Sequence, residues 1–177
     1  MSKIRIAGIE PYSVVDGPGI RYTIYMQGCL HNCKGCHNPQ THDSKGGYEI
    51  SLEELLEDIA NKEDHLTGFT LSGGDPFEPY INIHKTKEIC KELKERYKDK
   101  SIWIYTGYTF EQLKHIDWIK EYVDVIVDGK FEIDKKSPDI VFRGSNNRRI
   151  IDVKKSLENN SVVDISSDFD SRKEISI

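Results

Sequence analysis

Residues 21–36 read RYTIYMQGCLHNCKGC, and they give the strongest indication of the fold class. Its first part, Arg21–Met26, is rich in aromatic and β-branched residues and predicts a strand. Its second part is a loop in which three cysteines follow the spacing C-x3-C-x2-C. In α/β folds a functional site usually lies where a strand ends and a loop begins, so this stretch indicates both the fold and its site.

Strand and helix patterns alternate through the rest of the chain. The other predicted strands are Ile4–Ile9 at a sheet edge, Gly68–Ser72, Ser101–Thr106 and Val123–Val127. Three helices are predicted. The first begins at Ser51, with Glu54 completing a capping box, and the second spans Ile81–Tyr97. The third runs from Thr109 to about Tyr122, with a break near Asp117. Short links between such elements predict right-handed βαβ units with a parallel sheet.

The number of units is too small for a closed eight-fold barrel. We therefore predict an α/β fold built as a partial, open (βα) barrel with a parallel sheet. Residues 1–160 are predicted to form one domain, and residues 161–177 a polar C-terminal tail that frays over Ser166–Lys173.

Composition narrows the class of partner. The chain has 177 residues and a formal net charge of −5, which is too acidic for a nucleic-acid-binding surface. The sequence shows no signal peptide after Met1 and no apolar run of the ~18 residues that a membrane span needs. We expect a cytoplasmic protein without membrane contact, in which the four cysteines bind metal or do chemistry and form no disulfides.

The three clustered cysteines, Cys29, Cys33 and Cys36, can wrap their thiolates around one small inorganic group. A 4Fe-4S cluster usually takes four cysteines, so three would leave one iron open for chemistry. Two other interpretations remain: a structural zinc site completed by a histidine, and an electron-transfer ferredoxin with a fourth cysteine. The candidate histidines are His31, His37 and His42. The remaining cysteine, Cys90, lies on the apolar face of a predicted helix and is expected to be buried and inert.

A second motif follows the next predicted strand, where residues 70–76 read TLSGGDP. Gly73 and Gly74 lack Cβ atoms and so allow the backbone to approach a ligand closely. Alone, such a sequence is most often a turn. Its position one strand after the cysteine loop favours a ligand-binding role.

Several separate segments together carry a resemblance to a known family. They are the loop at 16–21, the cysteine loop with Asn38 behind it, Leu71–Pro76, Val125–Phe131 and Arg143–Asp152. The chain resembles the radical S-adenosylmethionine superfamily, and within it the activating enzymes of glycyl-radical proteins. It is most similar there to the activators of anaerobic ribonucleoside-triphosphate reductases. The resemblance covers about Ile4 to Asp152.

The resemblance implies a cofactor set and a reaction. Cys29, Cys33 and Cys36 would hold a 4Fe-4S cluster whose fourth iron is chelated by the methionine end of S-adenosylmethionine. An electron from a reductant such as flavodoxin would cleave the sulfonium, and the resulting 5′-deoxyadenosyl radical would take a hydrogen from a glycine of the partner, the anaerobic ribonucleoside-triphosphate reductase.

The resemblance also implies cofactor-binding residues. Gly35, Cys36 and His37 would line the adenosyl group, and Gly73 and Gly74 would meet the methionine amino group. Further candidates for the cofactor site are Asn38, Asp75, Asp128, Asp16 and Arg21.

Some positions depart from the family pattern or keep a simpler interpretation. Gly35 stands where many superfamily members have an aromatic residue, and Asp75 where glutamate is common. The simpler interpretation makes Asp128 a turn aspartate and Arg21 an ordinary strand arginine. Three further arginines either contact the partner or a carboxylate, or belong to a solvated basic loop: Arg143, Arg148 and Arg149.

Three other functions compete with activation of the anaerobic reductase. The chain could activate another glycyl-radical enzyme, of the pyruvate formate-lyase type. It could be a radical enzyme acting on a small molecule, such as a deazaguanine synthase. It could also be a zinc-stabilised binding module without catalysis.

The cysteine assignment predicts the metal content. Anaerobically prepared protein should be brown and bind about four irons and four sulfides. Alanine at Cys29, Cys33 or Cys36 should abolish the stable cluster, whereas Cys90→Ala should keep it. Iron and sulfide analysis with visible spectroscopy measures this. Stoichiometric zinc without iron after anaerobic reconstitution would refute the assignment.

Overall fold

A computed structural model describes residues 2–170, which form a seven-stranded sheet with helices packed against it. The strands are β1 Lys3–Ser13, β2 Arg21–Met26, β3 Tyr48–Ser51, β4 Gly68–Gly73, β5 Ser101–Tyr105, β6 Val125–Asp128 and β7 Arg149–Asp152. The helices are α1 Leu52–Ala60, α2 Ile83–Arg96, α3 Phe110–Leu113, α4 Ile119–Tyr122, α5 Val153–Asn159 and α6 Ser166–Asp170. Within this part of the chain, no helix combines the length and apolar character required to cross a membrane.

The sheet has the strand order β3-β1-β2-β4-β5-β6-β7. The four central strands β2, β4, β5 and β6 are parallel, while β1, β3 and β7 pair antiparallel at the two sides. The sheet therefore has two free edges and does not close into a barrel, which confirms the predicted open α/β fold. The predicted edge position of Ile4–Ile9 is wrong, because β1 lies between β3 and β2 and the short β3 forms the edge.

One row of apolar side chains crosses the centre of the sheet in register. Ile24 pairs with Leu71, Leu71 with Ile104, Ile104 with Ile126, and Ile126 with Ile151. All five side chains are fully buried. Strands covered on both faces read as continuous apolar runs, which is why the central strands were readable from the sequence.

The helices follow their sequence signals closely. Ser51 caps α1 in the predicted capping box with Glu54, and the apolar face of α2 is buried. That face includes Cys90, whose thiol is fully buried, as predicted. The third predicted helix is present as two short pieces, α3 and α4, separated around Asp117.

The C-terminal part of the described chain packs on the sheet. The N–H of Ile165 donates to the Ile150 carbonyl at 2.7 Å, and Phe169 of α6 is only 7% exposed. Its ring lies 5.4 Å from the Trp103 ring and 5.7 Å from the Phe142 ring, measured between centroids. The prediction of a frayed Ser166–Lys173 is therefore wrong for Ser166–Asp170, because Phe169 has an apolar site to fill. Residues 171–173 of that prediction lie outside the described residues, and the domain boundary at residue 160 stays a prediction.

Candidate functional site

The carboxyl ends of the four parallel strands open onto one cavity of about 370 Å³. Loops after β2, β4, β5 and β6 contribute the lining, together with residues near 16 and 142–148. Among the lining residues are the three clustered cysteines and both glycines of the second motif: Cys29, Cys33, Cys36, Gly73 and Gly74. The topology thus brings two motifs that are about 40 residues apart in sequence to the same cavity, as parallel strands are expected to do.

The cysteine loop is closed at its neck by backbone hydrogen bonds. The N–H of Gly28 donates to the Thr41 carbonyl at 2.7 Å, and the N–H of Cys29 donates to the His42 carbonyl at 3.2 Å. The Gln27 side-chain amide adds bonds to the carbonyls of Gln40 and Asp43, at 2.9 and 2.6 Å. The three cysteines are half-buried. The loop therefore presents its thiols from a closed ring rather than from an open chain.

Burial raises the pKa of the Cys29 thiol to about 12, and nearby Asp75 and Glu78 add to the effect. This thiol holds its proton at neutral pH in the metal-free protein, so a metal that binds it must displace that proton. Among the described residues, one compact group of potential metal ligands is found. It consists of Cys29, His31 and Glu78, with ligand atoms within 4.8 Å of one another, and does not include Cys33 or Cys36.

The glycines of the second motif are required by close packing of the backbone. A Cβ atom at Gly74 would lie 2.4 Å from the carbonyl oxygen of Gly28, the residue before Cys29. Gly73 has a φ of +91°, and a Cβ there would lie 2.7 Å from the backbone of Met26. A side chain at either position would push against the start of the cysteine loop.

The residues around the third cysteine divide into lining and supporting positions. His37 and Asn38 line the cavity, and the His37 ring packs on Phe131 with centroids 5.0 Å apart. The Asn38 N–H points to the Cys36 sulfur at 3.4 Å. Gly35 is not among the lining residues, and its φ of +75° and its approach to Ile133 leave no room for a side chain.

Asp75 lines the cavity wall but directs its carboxylate into the protein. It is 1% exposed and lies 2.6 Å from the His31 ring, between its Oδ2 and the ring Nε2. The Thr106 hydroxyl and the Gly107 N–H also donate to it, at 2.8 Å each. From the sequence, His31 is a candidate only as a zinc ligand. Its pairing with Asp75 joins two loops and has no signal in either motif alone.

The further candidates Asp16, Arg21 and Asp128 occupy different ends of the sheet. Asp16 lines the cavity and accepts hydrogen bonds from the hydroxyls of Ser13 and Tyr25, at 2.5 and 3.1 Å. Arg21 and Asp128 do not line it. Other groups of the protein bind both side chains, and a role for either residue at the cofactor stays a prediction.

Arg21 is fully buried at the amino ends of β4 and β5, opposite the cavity. It donates to the Phe69 and Ser101 carbonyls at 2.8 and 2.9 Å, and to the Thr70 hydroxyl at 2.8 Å. Burial lowers its pKa to about 10, so it keeps its charge at neutral pH.

Asp128 accepts hydrogen bonds from the Arg149 guanidinium, at 2.6 and 3.1 Å, and from the Phe110 N–H at 2.8 Å. These bonds fix α3 and β7 to the end of β6. Arg149 also pairs with Glu111, at 2.7 Å.

The other two arginines of the basic segment line the cavity. Arg143 pairs with Asp170. Arg148 lies over the Tyr105 ring at 5.6 Å and donates to the Thr106 carbonyl at 3.1 Å. No ion pair among the described residues includes Arg148, so its charge is the one of the three that no carboxylate neutralises.

Unpaired polar atoms gather around the cavity. Within residues 2–170, six buried side-chain polar atoms have no hydrogen-bond partner, and four belong to lining residues. These four are His42 Nε2, Tyr105 Oη, Arg143 Nε and Arg148 Nε. Buried polar groups are normally paired, so this concentration indicates a cavity built for a polar ligand.

Comparisons with known proteins agree with this geometry. Residues 15–151 match the family described as a 4Fe-4S single cluster domain. The chain is 37% identical over 143 residues to the anaerobic ribonucleoside-triphosphate reductase-activating protein of Enterobacteria phage T4, covering 80% of this chain and 90% of that protein. This chain belongs to the family of anaerobic ribonucleoside-triphosphate reductase-activating proteins. The Vibrio cholerae member is 37% identical over 144 residues, covering 79% and 92%, and the Escherichia coli member 32% over 142 residues, covering 78% and 92%.

Among solved structures, QueE from Escherichia coli aligns with a TM-score of 0.45 and 19% identity, over 60% of this chain and 54% of that one. This likeness is too slight to carry an argument.

The residues of this family member fit an iron–sulfur cluster. Thiolates are the usual protein donors to such clusters, and all three clustered cysteines face the same cavity. Membership of a 4Fe-4S family favours iron over the zinc interpretation of the same loop.

Gly74 offers a direct test of the packing between the two motifs. Gly74→Ala should push the Gly28 carbonyl away and cost about 1–3 kcal/mol of stability, as overpacking does. It should also reduce iron incorporation, because Gly28 leads directly into Cys29. Gly8→Ala is the matched control, since a Cβ there meets nothing within 4 Å. Thermal unfolding and iron analysis measure both effects, and normal iron content in Gly74→Ala would contradict the assigned contact.

Proposed function

We propose that this protein is a radical S-adenosylmethionine activase that generates a glycyl radical on an anaerobic ribonucleoside-triphosphate reductase. The observation that carries the proposal is the meeting of the cysteine loop and the Gly-Gly-Asp turn at one cavity. The names of its relatives supply the partner, since they are activating proteins of that reductase. The reaction belongs in a reducing compartment, the cytoplasm, where thiols are kept available for iron.

We assign the cluster to Cys29, Cys33 and Cys36, with one iron left for S-adenosylmethionine. When bound, the cluster supplies the electron that cleaves this cofactor, which requires a low-potential donor such as flavodoxin. The chain's own residues hold the thiols at the cavity wall through the closed neck of the loop. His37 and Asn38 line the wall beside Cys36 and are assigned to the cofactor side, as are Gly73 and Gly74.

Arg148 is assigned to the carboxylate of the cofactor. Its guanidinium lies at the cavity without an acidic partner among the described residues, and its Nε–H has no acceptor. Arginine presents several N–H donors in a planar fork that matches a carboxylate. Arg143 and Arg149 are less suited to this role, because each is already paired with an acidic side chain.

The cavity mouth favours a protein substrate. Val15 lines the cavity and is 70% exposed, and Leu30, next to Cys29, is 71% exposed. We assign these exposed apolar side chains to a surface that another protein covers. A loop of the reductase that carries the radical glycine would provide such a cover.

The function is tested by anaerobic reconstitution with a candidate reductase. The reduced protein alone should cleave S-adenosylmethionine slowly, and the reductase should accelerate the reaction. A glycyl radical should appear in electron paramagnetic resonance, with near-stoichiometric 5′-deoxyadenosine. Alanine in place of the radical glycine should remove the signal without preventing association. Rapid turnover of a free small molecule, with no response to a glycyl-radical protein, would overturn the proposal.

The Arg148 assignment predicts a ligand-dependent loss of affinity. Arg148→Met keeps the packing on Tyr105 but removes the charge, and should weaken S-adenosylmethionine binding roughly tenfold, the value of about one charge-assisted hydrogen bond. Decarboxylated S-adenosylmethionine should lose much less affinity in the same variant. Arg149→Met is the matched control and should leave both affinities near wild type. Equal losses for the two ligands in Arg148→Met, measured by calorimetry, would contradict a carboxylate contact.

A further inference from the structure

The carboxylate of Asp75 has no capacity left for a ligand. It is 1% exposed, and four protein groups donate to it. The Phe77 N–H reaches Oδ1 at 2.9 Å, the Gly107 N–H reaches Oδ2 at 2.8 Å, and the Thr106 hydroxyl lies 2.8 and 3.0 Å from the two oxygens. The His31 ring is the fourth donor, at 2.6 Å, because a carboxylate has no proton to give. Two carboxylate oxygens offer about four acceptor sites, so the protein fills them.

Glu78, a second buried acid from the same turn, binds Leu30, the residue before His31. Glu78 is 1% exposed and accepts the Leu30 N–H at 2.9 Å through Oε2. Its other oxygen, Oε1, accepts the Tyr108 hydroxyl at 2.7 Å. The two residues that directly follow Cys29 are therefore held by two acids from one turn. Both acids are held in turn by the segment 106–108 after β5.

The His31 ring is confined as well as hydrogen-bonded. Its centroid lies 4.6 Å from that of the Tyr108 ring, in an edge-to-face arrangement. A Cβ at Gly107 would lie 2.6 Å from the His31 ring, so the ring sits directly against the end of β5. The Cys29 sulfur belongs to the same compact group, within 4.8 Å of ligand atoms of His31 and Glu78. The position of this sulfur therefore depends on how His31 and Leu30 are held.

We propose that Asp75 is a positioning residue that acts through His31 to hold Cys29 for iron, and does not bind S-adenosylmethionine. Glu78 holds Leu30 in the same way. The proposal rests on the proposed cysteine ligation of the cluster. It assigns the acid of the Gly-Gly-Asp turn to the cysteine loop and leaves the cofactor to other residues of the cavity. Partners that orient metal ligands commonly change metal affinity by about 10–100-fold when removed.

The test is a mutant cycle on the anaerobically reconstituted protein, with Asp75→Asn, His31→Phe and the double variant. His31→Phe keeps a ring against Tyr108 and Gly107 but removes the N–H donor. Each single variant should release iron to a ferrous chelator roughly tenfold faster. The double variant should be no faster than the singles, because both act through one contact. Each should also change the paramagnetic resonance spectrum of the reduced cluster, which a general loss of stability would not do.

Asp128→Asn is the matched control. Asp128 is equally buried and accepts hydrogen bonds from Arg149 and Phe110, but it does not touch the cysteine loop. This variant should lower the unfolding temperature while leaving iron release and the spectrum unchanged. If Asp75→Asn does not fold, His31→Phe still reports on the same contact.

Cofactor binding decides between the two roles of Asp75. Affinity for S-adenosylmethionine per intact cluster should stay within about threefold of wild type in Asp75→Asn, less than the loss of one hydrogen bond to a charged group. A tenfold loss of that affinity with wild-type iron release and spectrum would overturn the proposal, as would multiplicative effects in the double variant. Failure of the proposed ligation has a different signature, since wild-type protein would then hold no iron.

Discussion

The position of the cysteine loop depends on the packing around the carbonyl oxygen of Gly28. This oxygen accepts the Asp75 N–H at 2.9 Å and the Asn82 side-chain amide at 3.2 Å, while Gly74 passes over it too closely to carry a Cβ atom. These contacts fix the end of β2 against the turn after β4. Cys29 follows Gly28 directly, so the first thiol is placed by backbone packing before any metal binds. Both glycines are consequently structural requirements of the loop, whatever they also offer to a ligand.

Buried charge is arranged differently at the two ends of the parallel strands. At the amino ends, Arg21 is surrounded by carbonyl and hydroxyl acceptors and stacks on Trp103, with its guanidinium carbon 5.5 Å from the ring centroid. At the carboxyl ends, Asp75 and Glu78 are likewise hydrogen-bonded, mainly by donors from the cysteine loop and from the loop after β5. A buried charge is tolerated only when it is paired or hydrogen-bonded. Arg148 is hydrogen-bonded to carbonyl oxygens as Arg21 is, but its Nε–H has no acceptor and it lines the cavity, which is why it stands out as a group for binding an anion.

The fold divides the candidate residues into those that line the cavity and those that support the sheet. The cysteines, His37, Asn38, Asp16 and the two glycines line the cavity, while Arg21 and Asp128 support the sheet. Their residue types gave no means of telling these roles apart, because aspartate and arginine serve equally as ligands and as caps. The segment 143–149 illustrates this best. Its three arginines look equivalent in the sequence, yet Arg143 and Arg149 are neutralised by acidic partners, whereas Arg148 lines the cavity without one.

Sequence patterns were enough to predict the open α/β fold, the central strands, the long helices and the cysteine loop. These features follow from local periods, caps and spacing, in which each residue's neighbours in the chain are also its neighbours in space. Three other features became visible only in the folded chain: the antiparallel strands at the sheet edges, the packing of Phe169 over Trp103, and the pairing of His31 with Asp75. Each of these joins segments that are more than 20 residues apart in the chain. Such contacts leave no local pattern, because the second partner is chosen by the order of strands in the sheet and not by adjacency in the chain.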